Sequence, residues 1–326
     1  MILKWGICCA GLISQDFTSA FHEFPNTENK ITAVAARSKE RAKNFALQFN
    51  IENYFDCYEK LAEFDDVDII YVGSIHPEHC KLTKLFLNHG KHVLVEKPMA
   101  MNATETKELI DLAREKKLFL MEGIWSLFFP LYIKIQQIVL NKEIGDLKHA
   151  NANFQVNCGN VDRLIKKELG GGGLLDIGIY VLQFALWVFR GRELVNATSN
   201  IKWNEDVDIY GSILLEFENN GTAFLTYHTS VDGDTSASVY GSAGKIIIPK
   251  NMWCPEEVII NEKLENMFKI ERKDKSFTYN FKNSWYFIHE INHVKQCIEN
   301  GLLESDIHPL KASLEVAEIM EKILKK

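Results

Sequence analysis

Three side chains set out the chemistry this chain can do. Lys97 follows Val93-Leu94-Val95-Glu96 and directly precedes Pro98. Most lysines sit on solvated surfaces. One held at the end of a buried strand, before a proline that fixes the backbone, can orient a substrate oxygen. It can also favour the ionised form of a nearby phenol or hydroxyl. A plain ion pair between Glu96 and Lys97 is the other reading of that dipeptide. Asp176 and Tyr180 stand four residues apart, in an apolar run that follows Gly170-Gly171-Gly172-Gly173. On a helix such residues share one face. A carboxylate and a phenol there form either a structural hydrogen-bonded pair or, with a cation such as Lys97 nearby, a proton-transfer pair.

His289-Glu290-Ile291-Asn292-His293 matches the H-E-x-x-H pattern of zinc proteases. No third ligand is spaced to complete it. Phe287, Ile291, Val294 and Ile298 give the same helix an apolar stripe. The pattern is therefore read as packing, and no metal is expected.

These groups need a scaffold. Positions 4–14 read as an apolar strand, a tight turn and a helix start, whose backbone N–H groups can hold a pyrophosphate. Gly11 fills the second position of the dinucleotide fingerprint. Cys9 stands at the first, and Ser14 where a third Gly or Ala would sit. The expectation is that Cys9 keeps an ordinary backbone conformation while Gly11 makes the close approach. Cys9, Gly11, Leu12 and Ile13 then form the phosphate turn.

The next strand, 30–37, ends at Arg37-Ser38-Lys39-Glu40-Arg41 with no acid at its tip. An acid there would bond the ribose 2′-hydroxyl and favour NAD. Arg37 and Arg41 can instead fork around a 2′-phosphate, with Ser38 as a small donor, which favours NADP. A strand at 67–73 runs into Ser74-Ile75-His76-Pro77-Glu78-His79. Ligands bind outside the carboxyl ends of such strands, so Ser74, His76, His79, Glu96 and Lys97 are placed toward the cofactor.

Helices are expected at 16–24 (ended by Pro25), 41–49, 58–63, 80–89 and 104–116, with further strands at 91–95 and 118–122. Alternating strands and helices predict a doubly wound parallel sheet. After Trp125 the alternation stops. A helix at 128–141, a strand at 148–157 and the glycine-led helix precede strands at 211–217, 222–231, 236–240, 245–248, 258–261 and 268–272. Asn220-Gly221 is a hairpin signal, and a final helix is expected at 313–326. The fold class is α/β. An N-terminal Rossmann domain (1–123) precedes a C-terminal α+β domain (124–326) with a large, open, mostly antiparallel sheet. Helix covers one face of that sheet, and a partner subunit can cover the other.

The bulk properties narrow the field. At 326 residues the chain has mass for two domains, and 46% hydrophobic with 25% charged residues is ordinary globular composition. A net charge of −7 argues against a general binder of nucleic acid or anionic membrane. No run is expected to span a bilayer, and no signal peptide is read at the start. The seven cysteines are scattered without a C-x-x-C pair, which fits the reduced thiols of a cytoplasmic protein.

Taken together, residues 6–14, Ser74-Ile75-His76-Pro77-Glu78-His79, Gly90-Lys91-His92-Val93-Leu94-Val95-Glu96-Lys97-Pro98 and Gly172-Gly173-Leu174-Leu175-Asp176-Ile177-Gly178-Ile179-Tyr180 resemble the Gfo/Idh/MocA oxidoreductases. Trp5-Gly6-Ile7, Ala35-Ala36-Arg37, Phe119-Leu120-Met121-Glu122, Ile124-Trp125, Phe128-Phe129-Pro130 and Trp253-Cys254-Pro255 carry a nearer likeness to the family's dihydrodiol and D-xylose dehydrogenase branch. The resemblance covers nearly the whole chain. It implies NADP as cofactor and a homodimer paired through the C-terminal sheet. It implies Tyr180 as acid/base, Lys97 lowering its pKa and positioning the substrate hydroxyl, and Asp176 completing the site. His79, Trp125 and Phe154 would line the cofactor or substrate pocket. The implied substrate is a secondary alcohol of a cyclic polyol, a trans-dihydrodiol or an aldopyranose such as D-xylose, whose hydride passes to the nicotinamide. Cys9 departs from the wider family's glycine. A non-catalytic NADP-binding sensor on the same fold is the alternative. The joint presence of Lys97, Asp176 and Tyr180 argues against it.

Overall fold

A computed structural model describes residues 2–24, 28–266, 272 and 277–325. Compactness divides the chain into two units, Met1–Phe128 with Ile270–Leu314, and Phe129–Lys269 with Glu315–Lys326. The expected division was one cut after residue 123. The observed one returns 270–314 to the first unit.

The first unit carries six strands: β1 (Leu3–Cys8), β2 (Asn29–Ala35), β3 (Asn53–Phe55), β4 (Ile69–Val72), β5 (His92–Glu96) and β6 (Leu120–Gly123). All pair in parallel, in the order β3-β2-β1-β4-β5-β6. Between them run α1 (Leu12–Glu23), α2 (Lys39–Gln48), α3 (Tyr58–Ala62), α4 (His76–Asn88) and α5 (Ala103–Lys116). The strands are apolar on both faces because helices cover both, and all of β4 is buried. The strand order reverses between β1 and β4, which is where such sheets bind ligands.

Local chemistry sets the helix starts. α1 begins earlier than expected because Gly11 is its N-cap, in extended conformation. α4 begins at His76 with Pro77 in its first turn, where a missing N–H is harmless. Asn102 caps α5 by accepting from the Glu105 N–H at 2.8 Å. An aromatic wedge seats α1 on the sheet. Phe17 stacks on Tyr71 with centroids 3.8 Å apart and planes 10° apart, and Trp5 lies 5.6 Å from Phe17.

The second unit holds α6 (Pro130–Leu140), β7 (Leu147–Gln155), α7 (Asp162–Ile165), a π turn at Leu174–Gly178, α8 (Ile179–Val188) and seven further strands. These are β8 (Leu194–Asn204), β9 (Val207–Phe217), β10 (Gly221–His228), β11 (Ala237–Gly241), β12 (Lys245–Ile248), β13 (Glu257–Ile260) and β14 (Lys263–Asn266). The eight-stranded order is β14-β13-β12-β11-β7-β10-β9-β8, with β7 and β10 parallel and the other pairs antiparallel. The β9–β10 hairpin turns where expected, with Asn219 and Asn220 both at φ 58. α8 packs on β7 and β10.

By length and composition alone the 22 residues of Lys167–Val188 would pass for a membrane span. The window that qualifies is 83% buried inside the protein, and the run is broken at 170–172 before the π turn and α8, so it is core, apolar because protein surrounds it. The chain then returns to the first unit through α9 (Phe287–Glu299) and ends in α10 (Leu310–Leu324). The expected helix end at Pro25 lies outside the described residues. So does the expected strand at 268–272, apart from Arg272.

Candidate active site

In the first unit the strand-to-helix turn after β1 forms as expected, but Cys9 does not behave as expected. Its φ is 79°, in the left-handed region. The chain must reverse from β1 into α1 within three residues, and that reversal needs a left-handed residue here. Glycine would adopt it freely, whereas a side chain costs about 1–2 kcal/mol. Two contacts offset the strain. The Cys9 N–H donates to Ala35 O at 3.0 Å, and its Sγ lies 3.0 Å from Tyr58 Oη. Hydrogen bonding with Cys8, and then with Tyr58, lowers the thiol pKa against the effect of burial. The charges of Arg37 and Arg41 add to the same direction.

The turn fits a bound dinucleotide. Gly11 has no side chain to cap the first N–H groups of α1, which leaves them to an anion. A Cβ added there would meet only Gly73 O, at 3.8 Å. The Arg41 Nη2 donates to Ala10 O at 3.2 Å, which brings one expected phosphate ligand onto the turn. Ser38 is the N-cap of α2 and accepts from the Arg41 N–H at 3.4 Å. Arg37 is exposed at the tip of β2.

The loops after β4 and β5 are tied together by His79. Its Nδ1 lies 2.7 Å from Pro98 O and its Nε2 3.0 Å from Ser74 O. Burial, with the Lys97 charge adding to it, lowers the pKa of this ring. Both nitrogens face carbonyls, and the neutral ring, with one N–H, donates to one of them at a time from its place between the two loops. His76 sits one turn away, with ring centroids 5.8 Å apart. Beneath Lys97, Glu96 Oε1 accepts from Tyr71 Oη at 2.8 Å and Oε2 from the Lys97 N–H at 3.3 Å. Burial raises the Glu96 pKa from 4.5 to about 7 even though the Lys97 charge and the Tyr71 hydrogen bond pull it down. Trp125 stacks on Phe287 at 4.7 Å.

Sequence reasoning missed the props behind this loop. Glu122 Oε1 accepts from Met99 N at 2.8 Å, and its Oε2 lies 3.2 Å from His308 Nε2. The two histidines of the H-E-x-x-H pattern part company. His289 stacks on Tyr286 at 5.8 Å, while His293 lies 2.7 Å from Ser305 Oγ. Glu290 between them is buried, and burial followed by the Glu96 charge raises its pKa well above the ordinary range. It is no exposed protease base.

The second unit carries the other expected site residues. Asp176 lies in the π turn and Tyr180 in the first turn of α8. The glycines allow close packing around the turn. A Cβ at Gly173 or Gly178 would lie within 2.9 Å of the Tyr227 ring, and one at Gly172 (φ 132) 2.5 Å from Asp208 Oδ1. Asp208 Oδ2 in turn accepts from Leu174 N at 2.7 Å and Tyr227 Oη at 2.5 Å, which pins the turn to β9 and β10. The residue that sequence missed is Arg163, whose Nη1 donates to Asp176 Oδ1 at 2.7 Å. Burial opposes the Arg163 charge, but Asp176, Cys158 and Tyr180 outweigh it and raise its pKa. Phe154 stacks on Trp253 at 4.0 Å and lies 5.8 Å from the Tyr180 ring.

Comparison with known proteins fits both halves. Residues 3–124 match the model of an oxidoreductase family with an NAD-binding Rossmann fold, and residues 132–247 match the GFO/IDH/MocA C-terminal domain. The chain belongs to the Gfo/Idh/MocA oxidoreductases. It is an NAD(P)-binding dehydrogenase acting on CH–OH groups. It is 42% identical to the trans-1,2-dihydrobenzene-1,2-diol dehydrogenase of Xenopus tropicalis, over 99% of this chain and 98% of that one. The human protein of the same name is 36% identical over 100% and 97%. A 3-ketoreductase from Actinomadura kijaniata, solved with NADP and TDP-benzene, superposes with a TM-score of 0.81 at 25% identity, over 99% and 97% of the two chains.

The raised pKa of Glu96 has a testable sign. The folded state binds a proton that the unfolded state has released, so stability falls as pH rises between about 4.5 and 7. Glu96→Gln keeps an acceptor for Tyr71 and removes the titration. Its melting temperature should therefore fall less than that of the wild type across this window. Parallel melting curves against pH would show that Glu96 does not titrate there.

Proposed function

We propose that this dehydrogenase uses NADP to oxidise a secondary alcohol of a cyclic polyol, a trans-dihydrodiol or an aldopyranose such as D-xylose. The observation that carries the reading is the Arg163–Asp176 pair, with Tyr180 inside its charge field and beside the Phe154 ring. The name carried by the relatives at 36–42% identity supports the substrate class.

When bound, the nicotinamide supplies a hydride acceptor. The chain's own residues do the rest. Tyr180, as phenolate, takes the proton of the substrate hydroxyl, and Lys97 steadies both the phenolate and that hydroxyl. Asp176, held by Arg163, completes the acid/base group. The faces of Trp125 and Phe154 suit a flat or chair-shaped ring. The N–H groups of Leu12 and Ile13 and the guanidinium groups of Arg37 and Arg41 would hold the phosphates. The absence of an acid at the tip of β2 and the seat of Arg41 on Ala10 support NADP over NAD.

We also propose a homodimer, in the cytoplasm. Phe224 and Leu214 pair across β10 and β9 and are 45% and 37% exposed, on a sheet whose other face α8 covers. An apolar strip of this kind is a natural interface.

Three measurements test these readings. Lys97→Met and Tyr180→Phe should each lower the turnover of polyols by at least about a hundredfold while NADPH binding stays near wild type. Near-normal turnover would refute the acid/base assignment. No turnover of any pentose, hexose or dihydrodiol by the wild type would favour the sensor. Arg37→Asp should weaken NADP by about tenfold or more and leave NAD nearly unchanged; an unaltered preference would remove the 2′-phosphate role. Phe224→Glu should move the sedimentation coefficient from dimer to monomer, and a dimer that persists would place the interface elsewhere.

A further inference from the structure

The second histidine of the H-E-x-x-H pattern has a use that the pattern does not describe. His293 Nε2 lies 3.3 Å from Cys297 Sγ, one turn further along α9, and 3.6 Å from Asp306 Oδ1 in the loop that follows. One ligand atom from each residue lies within 4.8 Å of the others. Zinc bonds of about 2.0–2.3 Å in a tetrahedron put neighbouring ligand atoms roughly 3.3–3.6 Å apart. The two Nε2 distances, 3.3 and 3.6 Å, match that spacing.

The ring is also in the right state. Ser305 Oγ lies 2.7 Å from His293 Nε2 and accepts the N–H groups of Ile307 (3.1 Å) and His308 (2.9 Å). With two donors already on that oxygen, its own proton points to Nε2. Nε2 is then the unprotonated nitrogen, and a metal takes its lone pair by displacing the Ser305 hydroxyl. Phe128 packs on the same ring at 4.8 Å and helps fix it. Cys297 is buried, while the Asp306 side chain is 75% exposed. An ion can therefore enter over the carboxylate while the sulfur stays shielded.

We propose that His293, Cys297 and Asp306 bind one borderline-soft divalent cation per chain, zinc in preference to magnesium or calcium, with water as fourth ligand. Imidazole and thiolate select zinc, whereas the hard cations want oxygen ligands. Binding transfers the Cys297 proton to solvent and changes no oxidation state. The role is structural. The loop carrying Asp306 also carries Leu303, whose carbonyl accepts from Leu120 N at 3.1 Å on β6, and His308, which reaches Glu122. A metal there braces that edge of the first unit.

The test uses the full-length protein, stripped with a chelator and dialysed. It is titrated with Zn²⁺ against a chromophoric chelator, and with Co²⁺ as a spectroscopic stand-in. One zinc per chain, a cobalt–thiolate charge-transfer band and a higher melting temperature with zinc are expected. Cys297→Ser removes the band. Asp306→Ala, a change at an exposed side chain, weakens zinc by about tenfold or more. The proposal is overturned by no zinc bound at micromolar concentration, by a cobalt spectrum without the thiolate band, or by an unchanged zinc affinity in Asp306→Ala.

Discussion

The first unit depends on one close approach, between Gly73 at the end of β4 and the first turn of α1. A side chain at 73 would put its Cβ 2.4 Å from Ser14 Oγ and 3.3 Å from Ile13 Cγ2. In the usual dinucleotide fingerprint a third glycine, on the helix, allows helix and strand to meet this closely. Here the helix carries Ser14 and the strand carries the glycine. The contact draws the N-terminus of α1 over the split between β1 and β4. From there the packing runs inward, with Phe17 stacked on Tyr71, Tyr71 bonded to Glu96, and Glu96 held to the backbone of Lys97. Removal of the glycine would disturb the phosphate turn and the lysine loop together.

Around that contact the chain tolerates several unfavourable features. Cys9 is held left-handed, and Glu96 and Glu290 are buried acids whose pKa values burial raises. Neither carboxyl oxygen of Glu290 has a hydrogen-bond partner among the described residues. A buried acid without a partner persists as the neutral form. Strain and buried ionisable groups gather where a sequence serves function before stability, and they gather here beside the cofactor turn and the Lys97 loop.

Most of the fold was legible because it rests on local pattern. Apolar strands alternating with helices gave the parallel sheet, and Asn220-Gly221 gave the β9–β10 turn. The site was legible in its motifs but not in their supports. Arg163 lies 13 residues from Asp176 in an irregular stretch, with no spacing rule to connect them. Glu122 and His308 are 186 residues apart. The left-handed Cys9 was missed for another reason. Residue type argues for ordinary backbone, and only the tertiary demand for a reversal within three residues outweighs it.

The Arg163–Asp176 contact bears on the proposed acid/base assignment in the second unit. A carboxylate bonded to a guanidinium at 2.7 Å would lose that charge-assisted bond if it took a proton, and it would leave a half-buried Arg without its partner. Such a carboxylate is a poor general base. The same pair sets a positive and a negative charge beside the phenol of Tyr180. In the proposed reaction this pairing assigns Asp176 to orientation and Tyr180 to the proton transfer. The packing of Gly173 and Gly178 against Tyr227, with Asp208 on the Leu174 N–H, holds the π turn in place.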